Sequence, residues 1–364
     1  MQKRLTELNQ LLTAYRHSHE IPGLAANVVS KGKVIYSQGF GMTSIDENRS
    51  IVTPETIFSI QSITKSFTAS ALVHLEQETD FCLDAPVVKY LPYFRTKHGP
   101  YDQITTRHLL SHTAGFPEDL WLVLSLDPHF YAFTKNMPEY KAMHEQFPKE
   151  KIATIQTRED ITRYFANVRL VASPGERFAY CSDAYVIASD VLEKVSGMCW
   201  EDYVKKHILQ PLQMDRTFIN PTFSSSENDV ADYYLKTIGQ SIAVPLPENP
   251  LGAPVGYIYS TANDLSTYLI HHMDKSGKWL TTSSLRNMQT ALAKREEGMS
   301  YGLGWTIREQ HDLHVVEHAG QSLGVSSFVA MVPEHQFAIV LLCNTDQIPL
   351  ANVCKKMIRM WFGS

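Results

Sequence analysis

Ser62 and Lys65 have the residue types and the spacing of a nucleophile and its base. They stand three residues apart at the start of a predicted helix and share one face, so the Lys65 amine can lie against the Ser62 hydroxyl. A serine hydroxyl is a weak nucleophile and needs an adjacent group that accepts its proton. The helix carries no acid after Lys65 until Glu76, and burial without a carboxylate partner favours a neutral amine. The pair therefore predicts acyl transfer through a serine.

Two other patterns compete with this pair. Ser-x-x-Lys arises often by chance, and a second copy at Ser30–Lys33 has the Lys-Gly-Lys sequence of a solvated hairpin turn. The stretch 320–324 matches Gly-x-Ser-x-Gly, a nucleophile elbow that needs a following helix and then an acid and a histidine in that order. Downstream, His335 precedes Asp346. We interpret both patterns as chance matches.

Composition and charge exclude several classes of protein. The chain has 364 residues, 44% of them hydrophobic and 20% charged, which is typical of a globular protein with a large core. A net charge of −5 and a pI near 6.3 argue against nucleic acid or an anionic membrane surface as partners. No apolar run approaches the roughly 20 residues of a membrane span. The first residues lack the apolar centre of a signal peptide, so if Met1 is the native start we expect a cytoplasmic protein.

Cysteines and histidines give no metal pattern. The five cysteines are scattered and odd in number, which favours free thiols in a reducing compartment. His108 and His112 have the spacing of helix ligands, but no glutamate follows His108 to complete a zinc-protease motif. We interpret both as satisfied structural histidines and expect neither a metal nor another cofactor.

The elements at the two ends of the chain predict how the pair is positioned. Helical spacing marks residues 3–17, a hairpin follows over residues 24–40, and Ile63–Gln77 is apolar on most sides, as in a buried helix. Near the end, four strand patterns precede a helix at residues 350–361; they cover residues 301–310, 314–318, 326–332 and 337–343.

These patterns predict an α+β fold in one catalytic domain over residues 1–364. Its antiparallel sheet is built from both termini (about 1–58 and 300–364) with terminal helices, and an all-helical lobe (about 59–299) is inserted. We expect the active site between the two lobes. Within the inserted lobe, a helix over residues 104–117 is capped by Gly115. The aromatic segment 118–157 is interpreted as packed helices and loops, with a mobile lid as the alternative.

Three motifs in order resemble the serine β-lactamase-like family. They are Ser62-x-x-Lys65, Tyr180-Cys181-Ser182 and His318-Ala319-Gly320. The family includes class C β-lactamases, penicillin-binding DD-peptidases and related esterases and D-amino-acid peptidases. Supporting stretches lie at residues 109–116, 174–180 and 259–265, so the resemblance covers nearly the whole chain.

The resemblance implies a role for each motif. Ser62 would be acylated, Lys65 would be its proton partner, and Tyr180 would carry a proton between the serine and the leaving group. A phenol normally keeps its proton at neutral pH, so Tyr180 would need the Lys65 charge nearby. Residues 318–320 would form an edge strand to which an extended substrate adds. The backbone N–H groups of Ser62 and Gln321 would form the oxyanion hole.

Two departures from the family pattern leave the substrate open. Ser182 replaces the usual asparagine and offers fewer hydrogen-bonding groups. His318 replaces lysine, and a partly charged histidine would hold a β-lactam carboxylate less firmly. The sequence predicts a serine hydrolase of a β-lactam or a D-amino-acid peptide amide. The alternatives are a carboxylesterase of the same fold and a non-hydrolytic sensor. In each case the partner is a small molecule or a short peptide, and the oligomeric state stays open.

Overall fold

The computed structural model describes residues 1–47, 49–118, 120–219, 229–237, 240–245, 247, 249–310 and 312–363. Its helices are α1 (Gln2–Ser18), α2 (Thr64–Glu78), α3 (Val87–Tyr90), α4 (Thr106–Leu110), α5 (Leu122–Ser125), α6 (Pro128–Thr134), α7 (Lys141–Gln146), α8 (Lys149–Ile152), α9 (Arg158–Tyr164), α10 (Ala184–Ser196), α11 (Trp200–Val204), α12 (Ala253–Gly256), α13 (Ala262–His272), α14 (Thr282–Met288) and α15 (Leu350–Phe362). Its strands are β1 (Gly23–Ser30), β2 (Lys33–Gly41), β3 (Phe58–Ser59), β4 (Phe218–Ile219), β5 (Tyr233–Thr237), β6 (Gln240–Val244), β7 (Ile258–Ser260), β8 (Ala293–Glu296), β9 (Met299–Tyr301), β10 (Thr306–Gln310), β11 (Leu313–Ser322), β12 (Val325–Val332) and β13 (Phe337–Cys343).

One antiparallel sheet joins the two ends of the chain. Its strand order is β2-β1-β13-β12-β11-β10-β9-β8, so β1 from the first residues pairs with β13 from the last. Both strands are buried on both faces and are therefore apolar along most of their length. On one face, α1 and α15 share a core cluster with these strands; on the other face, α2 and α13 pack in the main core. The predicted α+β class, with a sheet from both termini and terminal helices, is confirmed.

The inserted segment is less uniform than predicted, because it is not all-helical. Strands β3, β7 and β4 form a small sheet, β5 and β6 form a hairpin, and β8 joins the edge of the main sheet. The first three are only two or three residues long, too short to produce a visible alternation in the sequence. Strand β3 matters for function because it ends at Ser59, just before the predicted nucleophile.

Two predicted elements are interrupted where the chain approaches α2 and the site. The expected strand 301–310 is divided into β9 and β10, because the chain turns at Gly304 (φ +72°), where a Cβ would lie 2.9 Å from the Lys65 carbonyl oxygen. The helix expected to reach Gly115 is also shorter than predicted. It ends at Leu110, because the chain reverses at His112 in the left-handed region (φ +55°).

The aromatic segment 118–157 packs on the main core. The sequence analysis interpreted it as packed helices and loops. Its residue Asp119 lies outside the described residues. The apolar side chains that it buries include Leu122, Phe130, Met143 and Phe147. Within the part of the chain that the structure describes, no helix is both long and apolar enough to cross a membrane.

Candidate active site

Ser62 stands at the entrance to α2, in a 3₁₀ turn over Gln61–Ile63. Lys65 lies one turn further and is fully buried. Its Nζ donates hydrogen bonds to Ser62 Oγ at 3.0 Å and to the Val255 carbonyl oxygen at 3.1 Å. The structure thus brings together the predicted nucleophile and its proton partner.

Two aromatic rings lie close to the Lys65 amine. Nζ lies 5.1 Å from the centre of the Tyr180 ring and 5.7 Å from that of Tyr185. Ring faces attract a cation without taking its proton. Tyr185 is itself fixed, because its hydroxyl donates to the Leu110 carbonyl oxygen at 2.6 Å. This arrangement supplies the proximity between Lys65 and Tyr180 that the sequence required.

His112 holds the backbone on both sides of Tyr180. The Cys181 N–H donates to His112 Nδ1 at 3.2 Å, and the Ala179 N–H donates to the His112 carbonyl oxygen at 2.8 Å. The His112 ring also packs on the Tyr180 ring, with centres 4.1 Å apart. Burial first, and then the nearby Lys65 charge, hold the pKa of His112 well below its usual value, so the ring is neutral. His112 therefore positions Tyr180.

Sequence reasoning assigned His112 only a structural role. That interpretation holds for His108, whose Nδ1 accepts from the Thr105 N–H in a capping box. It is incomplete for His112, because Nε2 is buried without a hydrogen-bond partner among the described residues. A signal was available in the sequence, since His112 lies within the stretch 109–116 that supports the family resemblance.

His318 is neutral, which corrects the expected partial charge. Its Nδ1 lies 2.7 Å from the Ala319 carbonyl oxygen, which can only accept, so Nδ1 carries the proton. Nε2 then accepts from the Tyr301 hydroxyl at 2.8 Å. Burial, followed by the Lys65 charge, lowers the pKa of His318 to about 3. His318 therefore offers no cation to a substrate carboxylate.

The third motif lies on an internal strand, not on an edge strand as predicted. However, β10 begins at Thr306 opposite Glu317, so residues 318–322 of β11 extend beyond it and pair only with β12. This part of β11 is a local edge beside the cavity. Gly320 permits its close approach, because a Cβ there would overlap the Ile60 carbonyl oxygen. Ser327 Oγ donates to the same carbonyl oxygen at 2.9 Å and so ties β12 to the turn that carries Ser62.

A cavity of about 310 Å³ opens beside Ser62. Ser182 and Gln321 line it with Ser62, so the cavity is lined by one residue from each of the first two motifs and by the residue that follows the third. The rest of the wall is mainly apolar and comes largely from α5, α6 and the segment before β7; it includes Leu120, Trp121, Val123, Leu124, Phe130, Tyr140, Val255, Tyr257 and Leu323.

Asp183 is a wall residue that the sequence analysis missed. It follows Ser182, is fully buried and lines the same cavity. Burial raises its pKa to about 6, against the lowering effect of nearby backbone N–H groups and of the Lys65 charge. Its position in sequence gave no functional signal, because it belongs to none of the three motifs.

The nucleophile-elbow alternative fails on structural context. Ser322 is the last residue of β11, and the two residues after it form a turn into β12. An elbow requires strand, turn and helix. Ser322 lines the cavity, but it has the wrong surroundings for a hydrolase nucleophile.

Comparisons with known proteins agree with this geometry. The Beta-lactamase family model matches residues 8–356. Protein flp from Staphylococcus aureus (strain MW2) is 27% identical over 331 residues, which are 90% of this chain and 60% of that protein. The chain thus spans about 60% of the length of this curated relative.

Two solved structures are also similar. The octameric penicillin-binding protein homologue from Pyrococcus abyssi superposes with a TM-score of 0.83 and 27% identity, covering 99% of this chain and 77% of that one. The D-stereospecific amidohydrolase from Streptomyces sp. gives a TM-score of 0.76 at 23% identity and covers 98% of each chain, a likeness of fold alone. With a family match over nearly its whole length and the same fold, this chain belongs to the beta-lactamase family.

Proposed function

We propose that this chain is a serine hydrolase that works through an acyl-enzyme on Ser62. The observation that carries the proposal is the 3.0 Å contact between Lys65 Nζ and Ser62 Oγ at the wall of a cavity. The Lys65 amine has the Ser62 hydroxyl as one of its two hydrogen-bond partners, so it lies within reach of the Ser62 proton, and a serine nucleophile needs such a neighbour.

The proposed reaction follows from the positions of three groups. Ser62 Oγ attacks the substrate carbonyl carbon while its proton passes to Lys65. Tyr180, held by His112 beside Lys65, delivers a proton to the leaving group and takes one back from Lys65. The backbone N–H groups of Ser62 and Gln321 receive the developing oxyanion. Water then attacks the acyl-enzyme and gives a proton to Lys65, which passes it to Ser62 Oγ as the acid is released. General acid–base groups of this kind contribute roughly 10²- to 10⁴-fold to the rate.

The first candidate substrate is an amide, either in a β-lactam or in a D-amino-acid peptide. Similarity to a penicillin-binding protein homologue and a D-stereospecific amidohydrolase supports it. A carboxylester is the second candidate. The neutral His318 favours it, because this residue has no charge to hold a carboxylate near the scissile bond. A sensor that binds without turnover is the outcome if no substrate is hydrolysed.

A turnover assay on three substrates tests the proposal. Wild type, Ser62→Ala and Ser322→Ala are each incubated with a chromogenic cephalosporin, a D-amino-acid 4-nitroanilide and a 4-nitrophenyl ester. We expect wild type and Ser322→Ala to hydrolyse at least one substrate and Ser62→Ala to hydrolyse none. Equal activity of Ser62→Ala and wild type contradicts the proposal. Folded wild type without activity favours the sensor.

A further inference from the structure

The carboxyl group of Asp183 has one oxygen without a hydrogen-bond partner among the described residues, although backbone N–H groups of Leu122, Val123 and Asp183 lie near the carboxylate. Oδ1 accepts from the Val123 N–H at 2.7 Å. Oδ2 is buried and has no hydrogen-bond partner among the described residues. A buried polar atom without a partner is costly and calls for an explanation. Asp183 lines the cavity and directly follows Ser182, so a ligand beside Ser62 can become the partner of this buried oxygen once the side chain turns toward the cavity.

The charge of the cavity wall has one sign. Two carboxyl groups line it, those of Asp183 and Asp346, and no lysine or arginine does so among the described residues. Lys65 is not one of the lining residues and its amine donates to Ser62 and Val255, although its charge acts on Asp183. Apolar walls concentrate the field of such carboxylates and raise the local concentration of cations. The cavity thus favours a cationic ligand over an anionic one.

The two carboxyl groups differ in whether both of their oxygens have hydrogen-bond partners. Asp346 accepts from the Lys236 N–H at 3.1 Å through Oδ1 and from Gln347 Nε2 at 3.3 Å through Oδ2. Both of its oxygens therefore have partners. Asp183 alone of the pair combines full burial with a free acceptor, which makes it the contact point for a ligand.

We propose that Asp183 binds an ammonium group on the acyl portion of the substrate. Building on the proposed function, the structure then assigns to Ser62 substrates that are amine-bearing amides or esters with a large apolar side chain. The apolar part would lie against wall residues such as Trp121, Phe130 and Leu323. An ammonium group supplies charged N–H donors, and a hydrogen bond between charged groups is stronger than one between neutral groups.

The state of Asp183 agrees with this role. Because burial raises its pKa to about 6, the carboxylate is charged at pH 8 but loses its charge in mildly acid solution. A bound ammonium would offset the cost of burying that charge. The preference for an amine is therefore expected above about pH 6 and should weaken below it.

Matched substrate pairs test the inference by turnover. The first pair is phenylalanine methyl ester with and without an N-acetyl group, in both D and L forms. The second is the 4-nitrophenyl esters of 6-aminohexanoic and hexanoic acid, which place the amine further from the carbonyl. At pH 8 we expect the free amine of at least one pair to have a kcat/KM at least tenfold above its neutral partner. Turnover of the neutral members with ratios near one in all pairs overturns the inference and leaves the hydrolase proposal standing.

Two variants locate the contact. Asp183→Asn keeps the acceptor for the Val123 N–H and removes the charge, so the ratio within the preferred pair should fall toward one. Asp346→Asn removes the same charge from the same wall at a carboxylate whose oxygens have partners, and it should keep most of the ratio. An equal fall in both variants, or an unchanged ratio in Asp183→Asn, contradicts direct binding by Asp183.

A binding measurement separates this inference from catalysis. Ser62→Ala is titrated calorimetrically at pH 8 with phenylalanine amide and N-acetylphenylalanine amide. The double variant Ser62→Ala/Asp183→Asn is titrated in the same way. We expect tighter binding of the free amine only where Asp183 is present. Equal affinities overturn the inference even if no substrate is ever hydrolysed. A clear preference supports it even if the hydrolase proposal fails.

Discussion

Lys65 is a buried amine whose two hydrogen bonds go to a hydroxyl and a carbonyl, not to a carboxylate. Such a group lowers the stability of the fold, because a polar amine is removed from water and has no ion-pair partner among the described residues. Lys65→Met removes the amine and keeps an unbranched side chain that is one atom shorter. We expect kcat for the best substrate to fall at least ~100-fold, while Tm stays the same or rises. A rate within a factor of two of wild type, or a loss of activity that follows a loss of Tm, contradicts the catalytic role.

His112 is expected to act through Tyr180. His112→Asn preserves an acceptor for the Cys181 N–H and tolerates the left-handed backbone, but it removes the ring that packs on Tyr180. His112→Ala removes both interactions. We expect kcat to fall in the order wild type, Asn, Ala, with KM changed much less, because the substrate does not contact His112. Steady-state kinetics measure this split. If kcat falls only in parallel with Tm in the two variants, His112 has a structural role alone.

The turn between β9 and β10 sets the position of α2. At Gly304, a Cβ would lie 2.9 Å from both the Lys65 carbonyl oxygen and Ala69 Cβ. Gly304→Ala should therefore destabilise the protein and also displace Lys65. Gly298→Ala is the matched control, because Gly298 has nearly the same φ (+71° against +72°) and no atom within 4 Å of its Cβ position.

Comparing the two glycine variants isolates the contact with α2. Backbone strain alone costs about 1–2 kcal/mol at a left-handed residue, and both variants share it. Urea unfolding should show a larger loss of stability for Gly304→Ala, and only this variant should lower kcat. If both variants lose stability and activity equally, the turn does not position the site.

For the molecule as a whole, buried neutral histidines predict acid sensitivity. Burial lowers the pKa of His272 and of His318 to about 3. Between pH 6.5 and 3 the unfolded chain gains protons at these rings and the folded chain does not, so they destabilise the fold as pH falls. Asp183 and Asp190 act in the opposite direction, because burial raises their pKa to about 6.

A single variant separates the histidine effect from these opposing groups. His272 lies far from the motif residues in sequence and packs against Tyr268, Trp279 and Trp305. In His272→Phe, the slope of unfolding free energy against pH near pH 5 should change by up to about 1.4 kcal/mol per pH unit, towards less loss in acid. Urea unfolding at pH 5 to 7 measures it, with exposed His98→Gln as the control. An unchanged slope for His272→Phe would contradict neutral burial.

The sequence predicted the large elements well, because their signals are local. The apolar runs of β1 and β13 and the helical spacing of α1 and α15 require no knowledge of the fold. The division of 301–310 depended on Gly304 meeting α2, a contact between distant parts of the chain. The motif residues were found by type and order, whereas the neutral state of His318 came from burial and from its partner Tyr301. Asp183 could be recognised as a candidate only from its position at the cavity.

Acylation of Ser62 can be tested directly. The direct measurement is intact mass and peptide mapping after incubation with a penicillin and, separately, with a fluorophosphonate, on wild type, Ser62→Ala and Ser322→Ala. We predict one adduct on the peptide that contains Ser62 with at least one reagent, present in Ser322→Ala and absent in Ser62→Ala. An adduct that persists in Ser62→Ala, or one that maps to Ser322, would contradict the account.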